Sequence, residues 1–209
     1  MPDPSASESY PPAPWPLAGQ AQINVFVVPA DQLPAVSAGF KPLRIAGRGL
    51  VMAGWVDYQE GSVLRYGEVF AAVLGVHDRR PTATVTHMWV DSVASMRGGR
   101  ELWGYPKELA DLDLKLAPAG RAVARFEGHE LVRGAFHAWV TSPLRIHLRG
   151  TTVQPLDGAP TVVRARIGGR LVLGSGSFDP APSGPLGFLA KGRLLLSIGL
   201  RDFQARFGV

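Results

Sequence analysis

Gly98-Gly99-Arg100-Glu101-Leu102-Trp103-Gly104-Tyr105-Pro106-Lys107-Glu108-Leu109-Ala110 sets one of the chain's four lysines among Trp103, Tyr105, Pro106 and Leu109. A lysine in such apolar company has two readings. It can cap a turn after Pro106 and lay its methylenes over a ring while the ammonium stays in water. Or it can be a nucleophile. A free lysine has a pKa of about 10.4 and is almost wholly charged at neutral pH. Burial penalises the ammonium and lowers that value by up to ~3 to 5 units, leaving a neutral amine able to attack a ketone and form a Schiff base.

Working outward, Asp91 is the expected cap of a short helix over residues 92–97, which Gly98-Gly99 would end. Residues 82–90, with their threonines, valines and Trp89, read as a strand. Turns at 77–81 and at Glu60-Gly61 bound two further extended runs, over 43–58 and 63–76, which pair as a hairpin. The first strand falls on residues 21–28, with Ile23, Val25 and Val27 on one face and Gln22, Asn24 and Phe26 on the other. A short helical turn follows Pro29 and is broken by Pro34. Residues 1–16, rich in proline and serine, read as a flexible tail, and residues 17–209 as one domain.

Downstream, residues 111–116 alternate Leu112, Leu114 and Leu116 against Asp113 and Lys115, the pattern of a half-buried strand. Turns at Pro118-Ala-Gly120 and Glu127-Gly128-His129 enclose a strand over 121–126. Along residues 131–140, Val132, Phe136, Ala138 and Val140 share a face. Extended runs follow over 144–153 and 161–174, the second divided by Gly168-Gly169, which reads as a two-residue hairpin turn. A loop over 175–187 and a last strand over 194–207 complete the chain. Many short strands, Gly and Pro turns and very little helix argue for an antiparallel barrel or sandwich.

The order Gly99-Arg100-Glu101-Leu102, then Tyr105-Pro106-Lys107 and Leu109, closely resembles the active-site segment of the acetoacetate decarboxylase family. There the lysine directly after the proline forms the imine with substrate, and the family is itself the standard example of a lysine activated by its surroundings. The resemblance implies a mainly β fold, a closed antiparallel β-barrel with a few short helices, an internal pocket and assembly into homo-oligomers. It gives Lys107 the role of nucleophile. It also matches Tyr66-x-Glu68 to a pocket glutamate, so Glu68 would manage protons, with Tyr66 on the same face. Trp103 and Tyr105 would help shape the substrate site.

Two positions depart from the family. Glu108 stands where the decarboxylases have a second lysine, and a carboxylate aimed at the amine would raise its pKa. Successive side chains of an extended segment point to opposite faces, so Glu108 is expected outside the pocket and activation of Lys107 then rests on burial alone. Gln20 aligns with an arginine that holds the substrate carboxylate. Arg100 could replace it, or serve structurally beside Glu101.

Composition narrows the rest. The 209 residues, 46% hydrophobic, suffice for a well-packed core. Without cysteine there is no disulfide or thiolate chemistry. No signal peptide or apolar span is evident, so a cytoplasmic protein that binds no membrane is the default reading. The net charge of +5 is scattered, which argues against nucleic-acid binding. The histidines show no metal-ligand spacing, and neither metal nor cofactor is expected. The leading expectation is a Schiff-base enzyme that decarboxylates a small keto acid or runs a related aldol and dehydration reaction. The alternatives are a cyclase or other tailoring enzyme that uses the pocket without an imine, and a non-catalytic small-molecule-binding barrel.

Overall fold

The computed structural model describes residues 9–37, 39–116 and 119–209. The chain is mainly β. Long strands β1 (Trp15–Pro29), β4 (Arg48–Tyr58), β5 (Tyr66–His77) and β6 (Arg80–Val90) lead to helix α1 (Val93–Trp103), with two-residue strands β2 (Lys41–Pro42) and β3 (Arg44–Ile45) between β1 and β4. Then come β7 (Lys107–Leu109), β8 (Asp111–Lys115), β9 (Ala119–Phe126), β10 (His129–Leu156), β11 (Ala159–Pro180), the one-turn helix α2 (Gly187–Ala190) and β12 (Arg193–Phe207). They form a twelve-stranded sheet whose path runs β7-β6-β5-β4-β1-β12-β11-β10-β9-β8. Among the described residues no helix is long and apolar enough to cross a membrane.

The path curls until β10 meets β6, and this seam is built differently from the rest. Only one backbone pair, Thr152 with Ala83, joins the two strands, in parallel. Side chains supply the other bonds. The Gln154 amide donates to Val85 O at 2.9 Å, and its Oε1 accepts from Val85 N at 3.0 Å and Thr84 Oγ1 at 2.8 Å. Thr82 Oγ1 donates to Thr151 O at 2.9 Å. A primary amide can give and take as a peptide group does, so fully buried Gln154 stands in for a missing rung of the ladder.

Both faces of the central strands are covered, which is why residues 66–73 are buried without a break. Inside the curl, Tyr66, Phe70 and Ala72 pack with Tyr58, Val90, Val163 and Phe203. On the other face, Val69, Ala71 and Val73 pack with Trp55, Trp89, Val132 and Phe178, beneath the start of β10 and the end of β11. Strands buried on both sides read as continuous apolar runs rather than alternating ones.

Several expectations are corrected. β1 begins at Trp15 rather than Ala21; of its two faces, the one with Gln22, Asn24, Phe26 and Val28, which the sequence left unassigned, is buried, and Ile23, Val25 and Val27 are half-buried. Polar residues on this face are partly bonded: Gln22 Nε2 donates to Ala135 O at 3.2 Å and Ser197 Oγ to Asn24 Oδ1 at 2.6 Å, while Asn24 Nδ2 is buried without a partner among the described residues. Gly168-Gly169 is not a hairpin turn. Both glycines lie inside β11, paired with His147 and Ile146. The turn between β10 and β11 is Asp157-Gly158, both with positive φ (51° and 77°), the conformation that Asp-Gly favours. β11 also runs on to Pro180 through much of the expected loop. Residues 1–8 of the expected tail and Pro118 of the expected turn lie outside the described residues.

Replacing Gln154 by leucine keeps the volume but orphans the Val85 N–H and C=O in a dry seam. Equilibrium denaturation should register a loss of about 2–5 kcal/mol. A loss below about 1 kcal/mol would mean that water takes over these bonds.

Candidate active site

Helix α1 delivers the lysine. Its cap is Ser92, whose Oγ accepts from Ser95 N at 3.2 Å, and not Asp91, which instead accepts from Gly67 N at 2.8 Å. The helix continues through Gly98-Gly99 to Trp103 and stops at Gly104, which takes the left-handed conformation at φ 69°. Gly104 N–H and Tyr105 N–H close the end on Arg100 O and Gly99 O, both at 3.0 Å. Only glycine fits here, because a Cβ would lie 2.3 Å from Pro155 O. Two residues later β7 begins, paired in parallel with β6 so that Lys107 stands beside Met88. Arg100, exposed, donates from Nε to Lys107 O at 2.5 Å and so fixes the lysine's main chain from the helix side.

The alternation of β7 sends Lys107 inward and leaves Glu108 exposed. Lys107 is 3% and Glu68 4% exposed, and Nζ lies 2.9 Å from Glu68 Oε2. Nζ also lies 2.9 Å from Ser95 Oγ and 3.3 Å from Tyr66 OH, so each of the three ammonium N–H groups has an acceptor. The amine stands 4.9 Å from the centre of the Tyr66 ring. The second carboxylate oxygen of Glu68 accepts from Tyr58 OH at 3.2 Å. Space for the lysine's methylenes is left by Gly99, where a Cβ would come within 2.6 Å of Lys107 Cδ.

Sequence reading had Lys107, Glu68 and Tyr66, and the fold brings all three together. Tyr105 and Trp103 are buried in the same cluster but are committed to neighbours. The Tyr105 hydroxyl shares a 2.8 Å hydrogen bond with Thr152 Oγ1, and Trp103 packs edge-on against Trp15 with ring centres 4.8 Å apart. Gln20 does not join them. It pairs with Asp57, whereas Ala21 pairs with Val56 and Val56 with Glu68, so Gln20 faces the opposite side of the sheet. Ser95, Tyr58 and Gly99 were not foreseen. Tyr58 could have been found from the hairpin register that sets it opposite Tyr66. Ser95 and Gly99 carry a weaker signal, small residues four apart on one helix face.

The electrostatics reverse one expectation. Burial pushes the Lys107 amine down, but the facing Glu68 carboxylate and the Tyr66 hydroxyl outweigh it, and the amine stands above the ordinary lysine range. Activation therefore cannot rest on dryness alone. Burial also pushes up Tyr58 and Tyr66, and Tyr105 to about 12, so all three stay protonated at neutral pH. None of the clefts beside Gln20, Arg121 or Arg145 is lined by Lys107 or Glu68.

These features define a β-sheet protein with a carboxylate-paired lysine sealed inside its curl. The model of the acetoacetate decarboxylase family matches residues 1–141, and the chain belongs to that family. Solved structures agree in fold. An acetoacetate decarboxylase from Legionella pneumophila is 17% identical with a TM-score of 0.71, covering 99% of this chain and 89% of that one. The enduracididine biosynthesis enzyme MppR, complexed with pyruvate, is 18% identical with a TM-score of 0.70, covering 100% of this chain and 94% of its own. An acetoacetate decarboxylase-like enzyme from Sphingomonas wittichii is 18% identical with a TM-score of 0.68, covering 94% and 91%. No functionally curated protein matches the sequence.

Two measurements probe the pair. In Glu68→Gln the burial stays and the opposing charge goes, so the Lys107 pKa should fall below its ordinary 10.5. The pH dependence of Lys107 modification, followed by peptide mass, should shift to lower pH by roughly 2 units or more; an unchanged profile would mean that Glu68 does not hold the ammonium. In the parent chain an amine whose folded-state pKa exceeds the unfolded 10.5 contributes stability that is complete below that pH. That contribution is lost as pH rises through the folded value, so the alkaline limb of unfolding should flatten in Lys107→Met.

Proposed function

We propose that the protein is a Schiff-base-forming enzyme acting on a small keto acid. The observation that carries this reading is the 2.9 Å contact between a lysine and a glutamate that are both almost completely buried. The curled sheet acts as a closed barrel around them, its β6–β10 seam keeping bulk water out. Substrate entry displaces the ammonium's partners and moves one proton from Nζ to Glu68. The free amine then attacks the ketone carbon, and the carbonyl oxygen leaves as water. The resulting iminium accepts the electron pair of the breaking carbon–carbon bond as carbon dioxide departs. Glu68, having given its first proton to the departing water, takes up another from solvent and passes it to the enamine carbon, and hydrolysis frees Lys107.

The departure at Glu108 favours a second outcome from the same iminium. MppR, of similar fold, has been captured with pyruvate and with the condensation product of pyruvate and imidazole 4-carboxaldehyde. An enamine formed here from pyruvate could likewise add to an aldehyde, with dehydration following. Trp139, Val140 and Leu144 on β10, with Leu173 opposite Val140, are exposed and support assembly with further copies of the chain.

One observation favours a reading without an imine: all three N–H groups of the ammonium are already accepted, as in a charge held for binding. The experiment that separates the readings is borohydride reduction with acetoacetate or pyruvate, followed by intact mass. The covalent reading requires an adduct of one substrate per chain that is absent in Lys107→Ala. No adduct, together with turnover or ligand binding retained in Lys107→Met, would leave a cyclase-like or purely binding pocket.

A further inference from the structure

Gly168 was singled out as a turn and is not one, which leaves the question of what a glycine does in the middle of a long strand. It lies between His147 on β10 and Gln204 on β12 in a cross-strand row. The next row on that outer face is Arg149, Arg166 and Arg206, directly opposite one another on three neighbouring strands. Beyond the glycine on the other side, Arg145 folds across the sheet, donating from Nη2 to Gly168 O at 3.2 Å and Asp202 O at 2.8 Å. The missing side chain makes room for the His147 ring, whose Cδ2 lies 3.1 Å from where a Cβ would stand, and beside that ring is a cleft of about 410 Å³ with arginines on both rims.

Its chemistry is one-sided. Neither Asp nor Glu is among its lining residues. Arg149, Arg166 and Arg206 make no ion pair or side-chain hydrogen bond among the described residues. Like charges facing each other across strands destabilise a sheet, so this row costs stability unless an anion lies over it. Strands lie about 4.8 Å apart, so the three arginine stems span roughly 10 Å. That span suits two linked phosphoryl groups, each able to take paired N–H donors from a guanidinium. Arg145, already tethered by two carbonyls, presents a charge whose position does not depend on the ligand.

We infer that the cleft over Gly168 binds phosphoryl groups, with a diphosphate as its best-fitting unit. The site stands apart from Lys107, on the outer surface of β10, β11 and β12. Free diphosphates and lipid headgroups share this chemistry, and separate probes distinguish them.

The test is calorimetric titration of the full chain with inorganic pyrophosphate, and with orthophosphate for comparison. Saturable binding of one pyrophosphate per chain is expected, tighter than orthophosphate. Arg166→Ala with Arg206→Ala should weaken it about tenfold or more, since each charged hydrogen bond contributes on the order of that factor. Gly168→Val keeps every charge but pushes the His147 ring from its seat into the cleft, and should weaken binding comparably. Arg44→Ala with Arg48→Ala, on β3 and β4, should leave it unchanged, and circular dichroism checks that each variant is folded. Sedimentation with phosphatidylglycerol vesicles, against phosphatidylcholine alone, forms the second arm. Vesicle binding that needs Arg166, Arg206 and an unfilled Gly168, with no pyrophosphate affinity, would assign the site to a lipid headgroup. The inference is overturned if neither probe binds saturably. It is equally overturned if binding survives Gly168→Val, since a flat basic surface would suffice, or if the arginine variants do not alter it.

Discussion

The architecture depends on a seam that backbone pairing alone does not close. With one ladder pair between β6 and β10, the curl is held by Gln154 and the threonines around it. These bonds are strong because they are dry, and they keep the interior dry in turn. The candidate site hangs from the same place: β7 pairs with β6, and Tyr105 reaches across to Thr152 on β10. Weakening the seam would therefore loosen the lysine's strand along with the fold.

Inside the curl, two opposed effects act on one amine. Burial alone would favour its neutral form, whereas the carboxylate beside it favours the charged form and prevails. A buried pair of this kind contributes little net stability, because desolvating two charges offsets most of their attraction. Its presence accords with the proton transfer proposed above. Here a donor and an acceptor already share a proton path 2.9 Å long.

How much of this was legible in the sequence varies by residue. The hairpin of β4 and β5 follows from the turn at Glu60-Gly61, the strand before α1 from its threonines and valines, and the inward Lys107 from the Tyr-Pro-Lys motif. Gly168-Gly169 misled, because local turn chemistry was weighed without the Asp157-Gly158 signal that sets the true register of β10 and β11. The buried face of β1 was hidden by its polar residues: Gln22 bonds to Ala135 on β10 and Ser177 on β11, and Asn24 to Ser197 on the neighbouring β12, all more than a hundred positions away. The expected cap, Asp91, is taken up by the N–H of Gly67, a residue remote in sequence, and Ser92 caps the helix in its place. Ser95 and Gly99 acquire meaning only once α1 is laid against the lysine.

That contact with α1 limits how the amine can be approached. Its backbone is tied on one side to β6 and on the other to Arg100, and its side chain lies in the groove left by Gly99. Nothing can reach Nζ by filling a vacancy; a visitor has to exchange with Glu68, Ser95 or Tyr66. Any approach to this amine is therefore an exchange of one hydrogen-bond partner for another.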